Sequence, residues 1–406
     1  MNFFQFSNNL AIPAPQINTD FSFKNCSFEK FEFKNIKHIG GKFRFTNNTL
    51  GNRLSNVSHI IFEESQIFNA DFSSNKFEQF TTFYNSFFAN DGSNGAKTKV
   101  TKFYNNSFQK ANFSKVNFKE NFTFDKCDFQ STTWFENCKN IEDTHLKFVA
   151  CEFKGFSLFN NSKLNKLNID RCTFLKTASF TDTVYDSINL YEVKFDKGAF
   201  FEEIKIHDIE NKKEFDMISN CDELKSWRRT FRTIKQELLK TDNKIDYNRF
   251  RVYEFNAYKQ ELKIEIKNLK KDILTSDSIV VKNRQSAKIK RDIFILEISE
   301  FFSDYGTDWK RALKMTFLFG FALYVPFFGF ENCDKDWDLN SWQIFPIGFL
   351  RFFILTDFYS PLQDGKTYIK MDGWNHLFSW IIFILGKIVI AFGIYEMIQA
   401  FRKFKA

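Results

Sequence analysis

Phenylalanine recurs at every fifth position from residue 103 to residue 118, in the run FYNNSFQKANFSKVNF. An α-helix repeats its buried face about every 3.6 residues and a strand about every 2, so a sustained period of five fits neither element. Such a period requires a chain that turns a corner after each short unit. It therefore predicts a square-sided β-helix with Phe103, Phe108, Phe113 and Phe118 in its interior.

The same unit recurs elsewhere, and the residue two positions before a repeat phenylalanine is often small. Two bulky side chains at each corner would not fit a narrow interior at protein packing density, so alternation of small and bulky residues is a packing rule. The small residues are Cys26, Ala70, Ala111, Cys127, Cys151 and Cys172. The predicted repeat core contains Phe72, Phe77, Phe103, Phe108, Phe113, Phe118, Phe129, Phe153 and Phe174.

The units Ala70-Asp71-Phe72 and Ala111-Asn112-Phe113 resemble those of pentapeptide-repeat proteins. The resemblance covers roughly Phe21 to Lys205 and is weakest at 46–60 and 138–147. It implies a right-handed quadrilateral β-helix with four units in each coil. The segment Gly92 to Ala96 is predicted to be a loop that interrupts the repeats.

The charge of the chain argues against one role known in that family. The formal net charge is +8, and almost all of it lies after residue 210. Some pentapeptide-repeat proteins are acidic mimics of duplex DNA that bind topoisomerases, and mimicry of phosphates needs a strongly negative surface. This nearly neutral repeat region does not provide one, and we expect no nucleic-acid partner.

The seven cysteines form no C-x-x-C pair and no cluster with histidine at metal-ligand spacing, so we expect no metal and no cofactor. Four of them occupy the small-residue position of the repeat, where an apolar filler is the expected role. Free thiols favour a reducing compartment. The N-terminal run MNFFQFSNNLAIPAPQ has no basic residue before an apolar stretch, so no secretory signal is expected.

Helical spacing replaces the five-residue period after about residue 206. Apolar residues step by three and four from Leu224 to Leu238, which is typical of an amphipathic helix. A second helical stretch runs from about Ile245 to Leu274. The two are predicted to form an antiparallel hairpin that covers the open end of the β-helix, where apolar core and strand edges would otherwise be exposed.

A basic run follows this hairpin and contains no acidic residue. Anionic lipid headgroups attract such a run when it lies beside a membrane segment, although a solvated helix face explains it equally well. The candidate headgroup-binding residues are Lys282, Arg284, Lys288, Lys290 and Arg291.

Two apolar segments, Ala312–Phe330 and Leu377–Tyr395, are long enough to span about 30 Å of hydrocarbon. Lys310, Arg311 and Lys314 lie at the start of the first, basic residues follow the second, and acidic residues are concentrated between them. The positive-inside rule then places both termini in the cytoplasm of a multi-pass protein of the bacterial inner membrane.

These patterns divide the chain into four parts. They are an N-terminal segment (1–20), a pentapeptide-repeat β-helix (21–205), a helical cap with a basic juxtamembrane linker (206–300) and a membrane region (301–406). The predicted fold class is thus a β-solenoid followed by an α-helical hairpin and a two-helix transmembrane region.

The second half resembles the C-terminal part of bacterial membrane-anchored pentapeptide-repeat proteins. The resemblance rests on RTFRTIKQEL at 229–238, NAYK at 256–259 and IYEMIQAFRKF at 394–404. In that group the region is likened to a two-helix ion channel with a re-entrant loop. The apolar segment 342–358 is the candidate re-entrant loop, and because it lacks a Thr-x-Gly-Tyr-Gly filter, potassium selectivity is not supported.

Among the possible classes of function, catalysis has the least support in the sequence. The five histidines are scattered, there is no glycine-rich phosphate loop, and no nucleophile lies beside a recognisable base. We expect a non-catalytic scaffold or protein-interaction module on the cytoplasmic face of the membrane, with membrane lipid and an unidentified protein as partners. Exposed polar residues of the run FYNNSFQKANFSK would provide contacts on the faces of the β-helix.

The alternative function is an oligomeric ion channel or gated pore with the β-helix as its regulatory domain. A cation at membrane depth is costly unless it faces water or a partner, so Lys387 and Arg351 are candidate pore residues. A pore lined by these positive charges would favour the passage of anions. Lys387 could instead snorkel or pair with Glu396 or an acidic partner. Gly386 and Gly393 are candidates for close helix packing, and a pore would need a homo-oligomer of about four or more protomers, since each chain supplies only two helices.

Overall fold

The structure is a computed structural model of the 406-residue chain. It describes residues 3–7, 16–17, 20–38, 42–51, 59–89, 100–140, 144–210, 220–273, 279–331, 339–355 and 374–402. The chain divides into two compact units, Met1–Glu261 and Leu262–Ala406, which are described separately. The predicted loop at 92–96 lies outside the described residues.

The first unit is a β-solenoid of short parallel strands. The strands are β1 (Phe3–Ser7), β2 (Gln16–Ile17), β3 (Phe21–Lys24), β4 (Ser27–Phe28), β5 (Lys30–Lys34), β6 (Lys37–His38), β7 (Phe43–Thr46), β8 (Thr49–Leu50), β9 (Ile60–Glu63), β10 (Gln66–Phe68), β11 (Ala70–Ser73), β12 (Lys76–Thr82), β13 (Phe87–Ala89), β14 (Val100–Tyr104), β15 (Ser107–Asn112), β16 (Asn117–Phe118), β17 (Asn121–Asp125), β18 (Asp128–Phe129), β19 (Thr133–Trp134), β20 (Lys139–Asn140), β21 (His145–Val149), β22 (Glu152–Phe153), β23 (Ser157–Leu158), β24 (Lys163–Asp170), β25 (Thr173–Phe174), β26 (Ala178–Ser179), β27 (Val184–Tyr191), β28 (Lys194–Phe195), β29 (Ala199–Phe200) and β30 (Lys205–Ile206).

The strands form two parallel 15-stranded sheets, and each coil of the solenoid contributes strands to both. A regular coil advances by 21 residues, as between the bonded Cys151 and Cys172. The step rises to 27 residues between Asn48 and Asn75 and to 31 between Asn75 and Asn106. The solenoid therefore continues through 46–51 and 144–147, where the repeat is weak in the sequence.

The four phenylalanines of the opening motif lie on four successive sides of one coil, and each is fully buried. In the next coil Phe124 pairs in register with Phe103, and Phe129 with Phe108. The rings therefore stack in columns along the axis. In the column Phe83, Phe113, Phe135 and Phe159, successive centroids are 4.7, 4.9 and 5.0 Å apart and the rings are nearly parallel.

The nine residues of the predicted repeat core are all in this interior, each at most 1% exposed. The ring columns explain why phenylalanine dominates. Each coil lies about one strand spacing from the next, which suits offset stacking of aromatic rings.

Two opposite corners of each coil have a residue in the left-handed α conformation. This conformation costs an ordinary L-residue roughly 1–2 kcal/mol, and asparagine tolerates it best after glycine. The residues are Asn25, Asn35, Asn47, Glu64, Ser74, Asn85, Asn105, Lys115, Lys126, Asn137, Ala150, Asn161, Arg171, Asp182, Glu192 and Glu203. Asparagine is accordingly the commonest residue at these corners.

Ala150→Asn is expected to stabilise the solenoid by about 0.5–1 kcal/mol, because Ala150 has φ near +49° and an asparagine tolerates that conformation better. The reverse change at an equivalent corner, Asn105→Ala, is expected to destabilise it by a similar amount. Chemical denaturation of the full-length variants measures both. Changes of the same sign at the two corners would contradict the explanation.

At many of the left-handed corners the next residue points inward and its polar side chain bonds to a backbone carbonyl of the preceding coil; at others, such as Ile36 and Val116, this residue is apolar. Asn106 Nδ2 donates to the Phe72 carbonyl oxygen at 2.7 Å, and Asn75 Nδ2 to that of Phe45 at 2.8 Å. Farther along, the thiols take this role: Cys127 Sγ donates to Phe103 O at 3.2 Å. A corner carbonyl has lost its strand partner, so an inward polar side chain satisfies it.

This arrangement changes two sequence-based interpretations. Asn106, in a run interpreted as exposed and polar, is buried, whereas its neighbour Asn105 is exposed. The buried cysteines are hydrogen-bond donors rather than only apolar fillers. Cys138 belongs to the opposite corner and was not among the predicted repeat cysteines.

A helical hairpin follows α1 (His207–Glu210) and lies on the last coil. It consists of α2 (Cys221–Lys240) and α3 (Lys244–Ile273), joined by a turn with Asp242 at φ +57°. Phe231 packs against Phe250 and Tyr253 across the pair. The antiparallel arrangement is the one predicted from the apolar spacing.

Helix α2 supplies hydrogen-bond acceptors to the exposed backbone of the last coil. Thr230 Oγ1 accepts from the Leu190 N–H at 3.0 Å, and Glu237 Oε2 accepts from the Ala199 N–H at 3.1 Å. Both Thr230 and Glu237 are buried. The hairpin thus covers strand edges and core that would otherwise face solvent.

The second unit is helical in its described part. It contains α4 (Ile279–Ser303), α5 (Trp309–Glu331), α6 (Leu339–Phe352) and α7 (Trp374–Arg402). Asp304, Tyr305 and Gly306, between α4 and α5, all have positive φ and form a tight turn.

Candidate functional site

Two helices of the second unit are long and apolar enough to cross a membrane. They cover Trp309–Phe330 and Leu377–Phe401, 22 and 25 residues, and so include both segments expected from the sequence. Large apolar side chains point outward from both helices, among them Phe317, Leu318, Ile384 and Ile388. An outward apolar surface of this kind suits hydrocarbon better than water.

Glycines on α7 allow neighbouring groups to approach closely. A Cβ atom at Gly393 would lie 1.9 Å from Thr316 Oγ1 of α5, and one at Gly386 would lie 2.2 Å from the Phe352 ring. Thr316 Oγ1 itself donates to the Ala312 carbonyl oxygen at 2.7 Å. The two glycines of the predicted packing face therefore contact different elements: Gly393 contacts α5, and Gly386 contacts the end of α6.

Helix α6 packs along α5 and ends near the middle of that helix. The Tyr324 hydroxyl donates to the Phe345 carbonyl oxygen at 2.9 Å, and the Phe353 ring lies 4.9 Å from that of Phe317. A Cβ atom at Gly320 would lie 2.4 Å from the Phe353 ring. The candidate re-entrant segment 342–358 thus contains most of α6 and the turn after it, while 356–358 lie outside the described residues.

Lys387, near the middle of α7, points at the carboxyl end of α6. Its Nζ donates to the Phe352 carbonyl oxygen at 3.1 Å and also to the Ile354 carbonyl oxygen. The ammonium lies 4.9 Å from the centroid of the Phe383 ring and 5.9 Å from that of Phe352. The last carbonyls of a helix carry a partial negative charge, so a cation is stabilised there.

Glu396, the alternative partner for Lys387 on the same helix, bonds to α4 instead. Its carboxylate accepts hydrogen bonds from the hydroxyls of Ser299, at 3.3 Å, and Ser303. The Ser303 hydroxyl also accepts from the Gly306 N–H at 2.6 Å. This buried carboxylate therefore connects α7 to the turn between α4 and α5. The second candidate pore cation, Arg351, is half-buried in the last turn of α6.

Four of the five candidate headgroup residues are exposed on α4. They are Arg284, Lys288, Lys290 and Arg291; the side chain of Lys282 lies outside the described residues. The carboxyl-terminal half of α4 exposes Phe294, Ile295 and Phe301. The helix therefore presents cationic residues first and apolar residues nearer the membrane-length helices, an order that suits the surface of a bilayer.

One outer side of the solenoid carries several large apolar side chains. Trp134 pairs in register with Leu158, Leu158 with Ser179, and Ser179 with Phe200, so these residues lie on the same side of successive coils. Phe156 is 52% exposed and Phe200 is 41% exposed. We call Phe80, Trp134, Phe156, Leu158 and Phe200 the apolar face.

Lys110 contributes a cation to the apolar face. Its Nζ lies 5.1 Å from the Trp134 ring centroid and 5.5 Å from that of Phe80. The Phe80 and Trp134 rings meet edge to face at 6.2 Å. Rings held in this way lose little conformational freedom on contact with another molecule. The sequence period did not reveal this face, because residues outside the core lack the repeat.

An open cavity of about 440 Å³ lies on another side of the solenoid. Lys42, Arg44 and Lys102 line it together with Asp71 and Glu120. Glu120 is buried and accepts a hydrogen bond from Thr101. With charges of both signs on its lining, the cavity favours no single charge in a ligand.

The described residues contain no group of three or more histidine, cysteine, aspartate or glutamate side chains placed to hold a metal ion. The six described cysteines are free thiols. Burial raises the pKa of Cys138 to about 12 and raises that of Cys151. Thiols that stay protonated are poor nucleophiles and poor metal ligands.

Cys138 is expected to make stability depend on pH above about 9. Its folded pKa lies above the ordinary value of 9.0, so the folded state binds this proton more tightly, and stability falls as pH rises from 9.0 to about 12. The Cys138→Ser variant keeps a hydroxyl donor for the Phe113 carbonyl but has no thiol to titrate. The loss of stability that Cys138 causes above pH 9.0 is therefore expected to vanish in this variant. Denaturation midpoints at a series of pH values measure it; identical pH profiles would contradict the assignment.

Searches against protein-family models, curated proteins and solved structures find no match for this chain.

Proposed function

We propose that this chain is a membrane-anchored pentapeptide-repeat protein that acts as a non-catalytic scaffold on the cytoplasmic face of a bacterial inner membrane. The apolar face of the solenoid is the observation that carries the proposal. Aromatic and aliphatic side chains grouped on one solvent-facing surface commonly mark a protein-binding site. A solenoid with stacked rings in its interior presents such a face without rearrangement.

The placement at the membrane is supported by the apolar helices α5 and α7 and by the charges around them. Basic residues lie at the start of α5 and after α7, and acidic residues lie between the helices. With both termini in the cytoplasm, the exposed cations of α4 would lie on the side of the anionic lipids. The partners are then membrane lipid for α4 and a protein for the apolar face.

A photo-crosslinking amino acid at position 156, in the full-length protein in cells, tests the scaffold. We expect a discrete crosslinked product from position 156, and none from the control position Asn168 on a different side of the solenoid. Trp134→Ser combined with the probe at 156 is expected to weaken the product strongly, because a tryptophan that becomes buried in an interface commonly contributes at least about 2 kcal/mol to binding. Equal products from positions 156 and 168 would reject the apolar face as the docking site.

The second candidate function is an oligomeric channel or gated pore, with the cytoplasmic solenoid as its regulatory domain. The observation that favours it is the position of α6. This short helix ends beside the middle of α5, and Lys387 of α7 contacts its carboxyl end. Two cations, Lys387 and Arg351, would favour anions if they lined the pore. Single-channel recording in planar bilayers with asymmetric chloride, with Lys387→Leu as the comparison, tests this function. Discrete openings with an anion-directed reversal potential that change in the variant would support a channel, and a silent bilayer with verified insertion would reject it.

A further inference from the structure

The last carbonyl oxygens of α6 lie near the middle of α5 and α7, where a membrane around those two helices would leave them without water. The last carbonyls of a helix have no partner within the helix. Between α5 and α7, Phe317 packs on Phe353, and Phe327 and Phe383 pack on Phe352, so aromatic rings line this end, while Ile354 is exposed on the outer surface. In hydrocarbon an unsatisfied carbonyl costs several kcal/mol, so a donor or a cation must lie there.

Lys387 meets that requirement with a full positive charge. Its ammonium bonds to two carbonyl oxygens, those of Phe352 and Ile354, and lies over the faces of the Phe383 and Phe352 rings. Carbonyl oxygens and aromatic faces are both established ligands of monovalent cations. The ammonium therefore occupies a cluster of groups that suits a cation. It is held there by its own side chain, which belongs to α7.

We propose that the carboxyl end of α6 and the Phe383 ring form an intramembrane site for a monovalent cation, with the Lys387 ammonium as its tethered occupant. When the ammonium is removed, a potassium-sized ion binds to the same carbonyl oxygens. In the conformation described, Lys387 excludes free cations from the site. The proposal rests on the membrane placement of α5 and α7 and not on what the solenoid binds.

The test compares thermal unfolding of the full-length protein in detergent in rubidium chloride and in N-methylglucamine chloride, whose cation is too large for the site. We expect Lys387→Met to unfold at a lower temperature than the wild type in N-methylglucamine chloride. At a rubidium concentration about ten times its dissociation constant, the midpoint of Lys387→Met is expected to rise by about 2–4 °C. The wild type and the control Lys314→Met, at an exposed lysine of α5, are expected to show no rubidium-specific rise.

Two results would overturn the proposal. One is a folded Lys387→Met protein with the same midpoint in both salts, and the other is an equal rubidium effect in the wild type. If Lys387→Met does not fold, Lys387→Gln, which keeps one donor for the carbonyl oxygens, is measured in the same way together with binding of radioactive rubidium. The crosslinking experiment at position 156 does not affect the rubidium measurement. A wrong scaffold proposal and a wrong cation-site proposal can therefore be told apart.

Discussion

Phe113→Ala is expected to lower the free energy of unfolding of the solenoid by about 3–5 kcal/mol, because removal of a fully buried ring leaves a cavity in a rigid interior. Phe113 stacks between Phe83 and Phe135, with centroids 4.7 and 4.9 Å away, and also meets Phe103 and Phe124 edge to face. Backbone pairing between coils fixes the walls at strand spacing, so the neighbouring rings cannot move together to fill the space.

Guanidinium denaturation of the full-length protein in detergent, followed by circular dichroism, measures the change. Phe80→Ala is the matched control, since it deletes the same ring from the apolar face, where Phe80 is 40% exposed. We expect the control to cost less than about 1.5 kcal/mol. A loss at Phe113 no larger than that at Phe80 would show that the ring columns do not determine stability.

Gly393→Ala is expected to destabilise the pairing of α5 with α7 by about 1–3 kcal/mol, the usual cost of overpacking. The added methyl group would lie 1.9 Å from Thr316 Oγ1 and 2.8 Å from Thr316 Cβ, so the helices must separate or the threonine must lose its hydrogen bond to Ala312. Close approach at a small residue is a principal source of helix association in membranes, where apolar burial contributes little.

Gly329→Ala provides the control for that substitution. A Cβ atom there meets nothing within 4 Å, so only helix propensity changes, and we expect stabilisation by up to about 1 kcal/mol. Titration of the folded protein with a denaturing detergent, followed by tryptophan fluorescence, compares the two variants. Effects of the same sign would mean that Gly393 does not determine the packing distance.

The proposed scaffold and the alternative channel also differ in which substitutions they tolerate. A scaffold depends on Phe156 and Trp134 and should retain partner binding when Lys387 is replaced. A channel depends on the surroundings of α6 and should retain its current when the apolar face is altered. A pair of variants, Trp134→Ser and Lys387→Leu, assayed for both crosslinking and current, therefore separates the scaffold from the pore.

The solenoid was predictable from the sequence because its packing rule is local. A side of the coil is about five residues long, so each inward ring is followed by the next at a fixed interval, as from Phe103 to Phe118. The apolar spans were predictable for a similar reason, since length and composition alone decide whether a helix can cross hydrocarbon. The helix pair α2 and α3 follows from apolar spacing.

Other features depend on residues far apart in the chain. Asn106 has the composition of a surface residue, and only the stacking of coils places its amide beside the Phe72 carbonyl. Cys138 lies in the interior because the coil shifts by one residue between Phe129 and Phe135, which no fixed period predicts. The apolar face arises from the register of β19, β23, β26 and β29, and its members are irregularly spaced in the sequence.

A phenylalanine-filled solenoid, a helical end cap and two membrane-length helices thus follow from the sequence, because periodicity and hydropathy are properties of short segments. Only the tertiary structure decided what the isolated polar groups contact. Lys387 lies at the carboxyl end of α6, and Glu396 bonds to Ser299 and Ser303, so the two do not pair with each other. A polar group that loses water on packing needs a protein partner, and the packing of α4, α5, α6 and α7 selects that partner.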